Sequence, residues 1–339
     1  MDTRLGGLLL GTAVGDAVGL PFEGLSPARA RRLFPGPLRH RLIFGHGMVS
    51  DDTEHALFTA QAFLAHPTDV AAFQRALAWK LRGWLLGLPA GIGLATLRAI
   101  ARMWLGVRRP GVRSAGNGPA MRAPVLGALL AGDADRLAAY VRAATELTHT
   151  DPQALTGALA LARMAAWAVT AAGPPVELAP LWGEGDAEWA RLGTLVEAHL
   201  ARQATLAEFA AVLGLERGVT GYMYHSVPVA AYAWLRHWGD FEATVAGVVA
   251  LGGDTDSVGS FAGALAGGVV GVAGIPPAWR AGIWDWPRGE RVWLAVATAT
   301  APVGYFWPGV LVRNALFLAV VLAHGVRRLL PPYAGKIDA

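Results

Sequence analysis

Two short acidic runs carry most of the chemistry this sequence offers: Ser50-Asp51-Asp52-Thr53 and Asp254-Thr255-Asp256-Ser257. Each opens an apolar stretch, EHALFTAQAFLA after the first and VGSFAGALAGG after the second. Serine and aspartate cap helix N-termini well, so one acid in each run is accounted for by capping. A second carboxylate beside it is favoured by the helix dipole but not required by it. If the runs converge, four carboxylates and the hydroxyls of Ser50 and Ser257 share one place. Like charges so close raise each other's pKa unless cations neutralise them. Every donor is a hard oxygen, which selects Mg²⁺, Mn²⁺ or Ca²⁺ over zinc or copper. The donor count suits two metals about 3.5–4 Å apart.

Two other segments could bind a substrate. In SAGNGPAMRAPVLGAL (114–129), the small residues Ser114, Ala115, Gly116 and Gly118 leave backbone N–H groups open. Asn117 tolerates positive φ, and a helix is expected directly afterwards. Backbone donors ahead of a helix outline an anion site, although an ordinary turn and cap has the same composition. His149, in THTDP (148–152), precedes a helix capped by Asp151, and His225 follows Tyr222 and Tyr224 in GYMYHSVP (221–228). A lone histidine is more often structural than functional, and only its place in a site decides.

These residues must be held by helices. Ala/Leu-rich stretches at 53–65, 70–87, 93–106, 119–131, 133–147, 153–171, 188–202, 206–214, 225–237, 241–250, 257–272, 290–299 and 311–329 alternate with Gly- and Pro-rich breaks. Strand-like alternation is scarce. The expected fold is all-α: a compact multi-helix bundle forming one domain over residues 1–339, with helices at 290–330 packed on it. Two glycine ladders stand out, Gly7-Gly11-Gly15-Gly19 and Gly259-Gly263-Gly267-Gly271. Residues four apart share a helix face, and each glycine costs about 1 kcal/mol against alanine in a helix interior. Such a face is expected where another backbone approaches closely, in the core.

Composition narrows the function classes. The chain has 339 residues, 54% of them hydrophobic and 16% charged, against about 25% charged in an average soluble domain. Basic residues outnumber acidic ones 29 to 25, a net charge of +4, and no nucleic-acid-binding motif is present. The one basic cluster, RARRLFPGPLRHR (29–41), reads as a solvated loop, with attraction of an anionic substrate as the sharper alternative. The absence of cysteine excludes disulfides, zinc–thiolate sites and cysteine nucleophiles and fits a reducing compartment. Asp2 and Asp16 flank the apolar 5–15 segment and argue against a cleavable signal. The nine apolar residues 315–323 fall short of the roughly 20 a spanning helix needs. They are expected to form a buried helix, with surface association as the alternative. No transmembrane span and a cytoplasmic location are expected.

The order SDDT, SAGNGPAMR, THTDP, GGDTDS, preceded by GLLLGTAVGDAVGLPFEG (7–24), resembles the ADP-ribosylglycohydrolases over about residues 5–275. That resemblance implies an all-α, metal-dependent hydrolase that cleaves the glycosidic bond between ADP-ribose and an acceptor. It implies two divalent cations, Mg²⁺ or Mn²⁺, held by Ser50, Asp51, Asp52, Asp254, Asp256 and Ser257, with Thr255 pointing away. It implies Glu23, Asp52 and Asp254 as catalytic groups. Ser114, Gly116, Asn117, Gly118 and Met121 match a loop that holds the diphosphate. His149 matches a cleft-lining histidine, and Tyr222 is placed to stack on the adenine. One departure stands out. Relatives that act on arginine-linked ADP-ribose commonly carry an acid where Gly91 stands in LPAGIGLAT (88–96). Arginine-type specificity and the identity of the general base are therefore open. Two alternatives remain: a non-catalytic ADP-ribose or nucleotide binder of the same fold, and a metal-dependent hydrolase of another phosphorylated or nucleoside substrate.

Overall fold

A computed structural model of the chain describes residues 3–287, 289–297 and 307–329. Its α-helices are α1 (Thr3–Gly19), α2 (Pro27–Leu33), α3 (Asp51–Ala65), α4 (Val70–Leu86), α5 (Leu94–Trp104), α6 (Ala123–Leu129), α7 (Ala134–Glu146), α8 (Pro152–Thr170), α9 (Ala179–Trp182), α10 (Ala187–Ala201), α11 (Leu206–Val212), α12 (Met223–Arg236), α13 (Phe241–Ala250), α14 (Thr255–Val270), α15 (Pro277–Ala281), α16 (Glu290–Ala297) and α17 (Trp307–Leu329). Among the described residues β-pairing is confined to isolated bridges. The expected all-α class is what forms.

Local chemistry explains most of the helix starts. Ser50, Asp69, Asp133, Asp151, Asp186, Thr205 and Asp240 each accept a backbone N–H two or three residues into the helix they open. Two segments differ from expectation. The basic stretch expected as a loop contains α2, capped by Ser26 and started by Pro27 at the first helical position. The helix expected over 119–131 begins as a 3₁₀ turn, Gly118–Met121, and becomes α-helical only at Ala123. Pro119 and Pro124 lack the N–H groups that a continuous helix would need there. Residues 298 and 299 of the expected 290–299 helix lie outside the described residues.

The two glycine ladders meet. α1 and α14 run antiparallel, Gly7 against Gly267, Gly11 against Gly263 and Gly15 against Gly259. A Cβ added at Gly259 would stand 2.6 Å from the Gly15 carbonyl oxygen, and those at Gly11 and Gly263 would press closer still on each other's carbonyls. Beyond the last pair, Gly19 faces Thr255, whose hydroxyl donates to the Gly19 carbonyl at 2.9 Å. α14 is buried from Thr255 to Gly268. This pair is the axis of a continuous apolar core running from Leu5 to Ala297.

Among the described residues two helices are long and apolar enough to cross a membrane by length and composition, Arg4–Phe22 and Pro308–Leu329. The first is wholly buried as part of the axis, whereas only 33% of the second is buried. The nine-residue run expected as a buried helix is therefore part of a longer, half-exposed one. α17 attaches through polar contacts. Arg313 forms a two-pronged ion pair with Asp285, Nη2–Oδ2 2.7 Å and Nε–Oδ1 3.1 Å. Burial disfavours the Arg313 charge, but Asp285, Glu54 and Asp16 more than offset it, so its pKa is raised. Arg313 also donates to the Val49 carbonyl while Asp285 accepts the Val49 N–H, which fixes the chain just ahead of Ser50.

Candidate functional site

The axis delivers both acidic runs to one end of the bundle. Before α14, Gly252 (φ 70°) and Gly253 (φ 82°) make a left-handed turn that only glycine adopts without strain. The turn is stitched on two sides: Gly24 N–H donates to the Gly253 carbonyl, Gly253 N–H to Leu25, Val219 N–H to Gly252 and Asp254 N–H to Val219. Asp254 and Asp256 are thereby fixed at the start of α14. On the other side Ser50 caps α3, accepting the Asp52 N–H at 3.3 Å.

Asp16 ties the first run to α1. It is fully buried and accepts the Ser50 N–H at 2.9 Å, the Thr53 N–H at 3.2 Å and the Thr53 hydroxyl at 2.5 Å. Burial outweighs these bonds and pushes its pKa up to about 7. Asp52, also fully buried, accepts hydroxyls from Ser257 (3.0 Å), Ser260 (3.0 Å) and Ser50 (3.4 Å). This side chain joins the two acidic runs.

A cleft of about 590 Å³ opens above them, within the usual size of small-molecule sites. Its lining includes Glu23, Asp51, Asp254, Asp256 and Ser257 on one side and Ser114, Gly116, Asn117, Gly118, Met121 and His149 on the other. Asp52 and Ser50 sit beneath this lining, buried. Tyr222 stands beside it: its hydroxyl donates to Gln153 at 2.9 Å, and its neighbours Thr220 and Gly221 line the cleft. Thr255 points away, bonded to Gly19.

Within the Ser114–Met121 loop, Asn117 has φ −80°, so no positive φ is used there. Its amide donates to Asp254 Oδ2 at 2.7 Å, which links the loop to the second acidic run. The Gly116 and Asn117 N–H groups donate to Ser114 Oγ and the Gly221 carbonyl, so one of the anticipated open donors, Gly116, is used inside the loop. A Cβ at Gly118 would lie 2.9 Å from the His149 ring, so glycine there makes room for the histidine.

His149 is oriented from behind. Buried Arg122 donates to Thr148 Oγ1 at 2.7 Å and contacts His55 Nδ1 at 3.3 Å, and Thr148 Oγ1 lies 2.9 Å from His149 Nδ1. The Arg122 pKa, lowered by burial to about 10, leaves it charged at neutral pH. His149 is held neutral, pushed down to about 3 by burial and by Arg122. Thr148 Oγ1 thus ties the His149 ring to Arg122 through Nδ1, and His149 Nε2 lies on the side of Gly116 and Gly118.

The electrostatics of the acidic side are one-signed. Burial is the largest influence on Glu23, Asp51, Asp52, Asp254 and Asp256 and raises all five, and the carboxylates of this group and Asp16 raise most of them further. Among the described residues none of Asp51, Asp52, Asp254 and Asp256 forms a salt bridge. Also among the described residues, no three Asp, Glu or His side chains stand together so as to hold a metal ion by themselves. What fits a hard divalent cation is the donor set: carboxylate and hydroxyl oxygens, crowded, buried and without a cationic partner.

Several of these groups escaped the sequence reading. Asp16 left a signal, a lone acid inside a wholly apolar helix. Arg122, Thr148 and the Arg313–Asp285 pair left none, because each acts through a partner distant in sequence.

An all-helical bundle in which α3 and the central helix α14 bring acidic N-termini to a glycine-rimmed cleft defines the class of this protein. A family model described as ADP-ribosylglycohydrolase matches residues 1–303. The chain is 28% identical over 285 residues to the ADP-ribosyl-[dinitrogen reductase] glycohydrolase of Rhodospirillum rubrum, covering 80% of this chain and 87% of that one. It is 29% identical over 294 residues to an uncharacterized protein of Archaeoglobus fulgidus, covering 84% and 93%. Among solved structures it resembles an ADP-ribosylglycohydrolase-related protein complex, with TM-score 0.61 and 28% identity, covering 88% of this chain and 98% of that one. The chain belongs to the ADP-ribosylglycohydrolase family, and the match reaches further toward the C-terminus than the motifs alone suggested. Membership supports glycohydrolase activity on ADP-ribose.

Proposed function

We propose that the chain hydrolyses the bond between the anomeric carbon of ADP-ribose and an acceptor, with two divalent cations, Mg²⁺ or Mn²⁺, at the acidic end of the cleft. The observation that carries this reading is the convergence of Glu23, Asp51, Asp254 and Asp256 on the same cleft as the Ser114–Met121 loop and His149. Ser50, Asp51, Asp52, Asp254, Asp256 and Ser257 would hold the cations. Bound there, such ions supply Lewis acidity toward the ribose hydroxyls and a more acidic water. The chain's own residues do the rest. The Ser114–Met121 loop receives the diphosphate, and neutral His149 turns its Nε2 toward that loop. Glu23, at the rim, has a raised carboxyl suited to proton transfer nearer neutral pH. The surrounding carboxylates stabilise the positive charge of an oxocarbenium-like transition state. Gly91 lines the cleft with φ 80° and open space beside it. It supplies no carboxylate, so proton transfer falls to Glu23 or to a ligand aspartate.

The test is turnover of arginine-linked and serine-linked ADP-ribosylated peptides, with Mg²⁺ and with EDTA. Release of ADP-ribose from at least one of them, in Mg²⁺ only, is the expected result. The bare Gly91 position favours a second reading, a non-catalytic ADP-ribose binder. Micromolar ADP-ribose binding without turnover of any substrate would establish it instead.

The one-signed site also sets a pH dependence. A carboxyl raised by folding binds protons that the unfolded chain has released, so stability falls as pH rises through its folded pKa. Asp16, at about 7, and Asp51, Asp52 and Asp256, raised well above their usual values, act this way. The lowered histidines, His55 and His149 foremost, act oppositely, but only below about pH 6.5, where the unfolded imidazole charges. In EDTA the thermal midpoint should therefore fall between about pH 6.5 and 8. Millimolar Mg²⁺ or Mn²⁺ should raise it and flatten that fall, because a cation bound only to the folded state stabilises it. Identical midpoint profiles with and without cation would refute the cation assignment.

A further inference from the structure

α17 is turned inside out. Its polar residues face the protein: Arg313 holds Asp285, Asn314 donates to the Gly87 carbonyl, His324 bonds to the Pro21 carbonyl at 2.9 Å, and Arg328 donates to the Glu23 carbonyl at 2.5 Å. Every exposed position from Leu311 to Leu329 is apolar except Arg327. Leu311, Val312, Leu316, Leu322, Val326 and Leu329 form one continuous stripe along more than four turns. A soluble helix shows the opposite pattern, and a patch of this extent marks an interaction surface.

The neighbourhood of the stripe adds aromatic rings and positive charge. A groove of about 700 Å³ runs between α17 and the 33–45 segment. Arg39, Arg41 and Arg327 line it together with Phe34, Phe44 and Val320, and among the described residues no carboxylate does. Phe44 is 91% exposed. Trp284 and Trp286 are 61% and 53% exposed, and Trp286 shares a small cavity with Arg313 and Val310 near the other end of the helix. Apolar helix face, flanking aromatics and arginines at the edge are the composition that seats a helix in the headgroup region of a bilayer. The helix begins at residue 307, beyond the end of the family match at residue 303, whereas the 33–45 side of the groove lies within it.

We propose that the α17 face docks on the surface of an anionic lipid bilayer, with the helix lying in the interface and the Arg39–Arg41–Arg327 groove on the headgroups. Spanning is ruled out by the protein-facing side of α17, which is bonded to the protein through polar groups toward both ends and packs Phe317 on Leu20, Leu42 and Met48 between them. A second copy of the chain fits less well, since pairing brings two cationic grooves into one interface with no acid between them. Arg328 joins the end of this helix to Glu23, so docking holds the rim of the cleft at the lipid surface.

The experiment is co-sedimentation of the full chain with phosphatidylcholine vesicles, with and without about one third phosphatidylglycerol, at low and high salt. The expected result is at least about tenfold more protein on the anionic vesicles, reduced by salt, with a blue shift of tryptophan fluorescence. The double variant L316E/L322E should lose this binding with an unchanged thermal midpoint, because both side chains are exposed. R39E should weaken it. Equal sedimentation with both vesicle types or with neither, or full binding by L316E/L322E, overturns the proposal. So does a dimer in light scattering that L316E/L322E dissociates while no vesicle binding is seen, which assigns the face to a second copy.

Discussion

Gly263→Leu should leave the chain unable to fold, and Gly263→Ala should lower its thermal midpoint by about 5 °C or more. A β-carbon at Gly263 runs into the Gly11 carbonyl, which is backbone and cannot rotate away. The only relief is separation of α1 from α14, and Gly7–Gly267 and Gly15–Gly259 on either side resist that. Overpacking of a core typically costs about 1–3 kcal/mol even when flexible side chains give way, so backbone against backbone stands at or above that range. The gain in helix propensity, about 1 kcal/mol, does not offset it. Gly83 is the control. It lies inside α4 with open space around its Cβ position, so Gly83→Ala should stabilise by about 0.5–1 kcal/mol. Thermal unfolding of the three variants decides the matter. A Gly263→Ala midpoint equal to or above the parent's contradicts the close-packed axis.

The second large effect has stability and activity moving in opposite directions. Asp52→Asn should reduce turnover of the ADP-ribosylated substrate by about 10²–10³-fold, the size of effect seen when a preorganised electrostatic group is lost. In EDTA near pH 8 the same variant should be at least as stable as the parent. The Asp52 charge is raised in pKa by burial first and then by Asp51, Asp16 and Asp254, so its ionised form strains the fold. Asparagine keeps the shape and an acceptor for one of the Ser257 and Ser260 hydroxyls, while the other turns to accept from the amide, and the repulsion is removed. The stabilisation by Mg²⁺ should shrink in the variant. Loss of activity together with loss of stability in EDTA would instead make Asp52 a structural residue. Sites that hold like charges together for function are commonly unstable without their ligand.

The acidic runs, the glycine ladders and most helix boundaries were legible because each is a local pattern. A capping side chain reaches only two or three residues ahead, and a spacing of four reports a helix face without reference to anything else. On that basis the sequence by itself determined the all-α class, the two glycine-faced helices of the axis, the acidic runs that open α3 and α14, and the expectation of hard-oxygen chemistry. Hydropathy alone misjudged α17, because an apolar run reads the same whether it faces a core or faces outward. The inversion became visible only once Arg313, Asn314, His324 and Arg328 were seen to spend their polar groups on the protein side.

Tertiary structure decided what the local patterns left open. It brought residues 50–53 and 254–257 together through Asp52 and its serine hydroxyls, a contact across more than two hundred positions. It recruited Asp16 to hold the first run, Asn117 to hold Asp254, and Arg122 with Thr148 to orient His149. It set Tyr222 beside the cleft rather than among its lining residues. The physical reason is common to all of these. Caps and helix faces are settled by neighbours along the chain, whereas burial, charge repulsion and the orientation of a side chain depend on which distant groups the packing of α1 on α14 brings within a few ångströms.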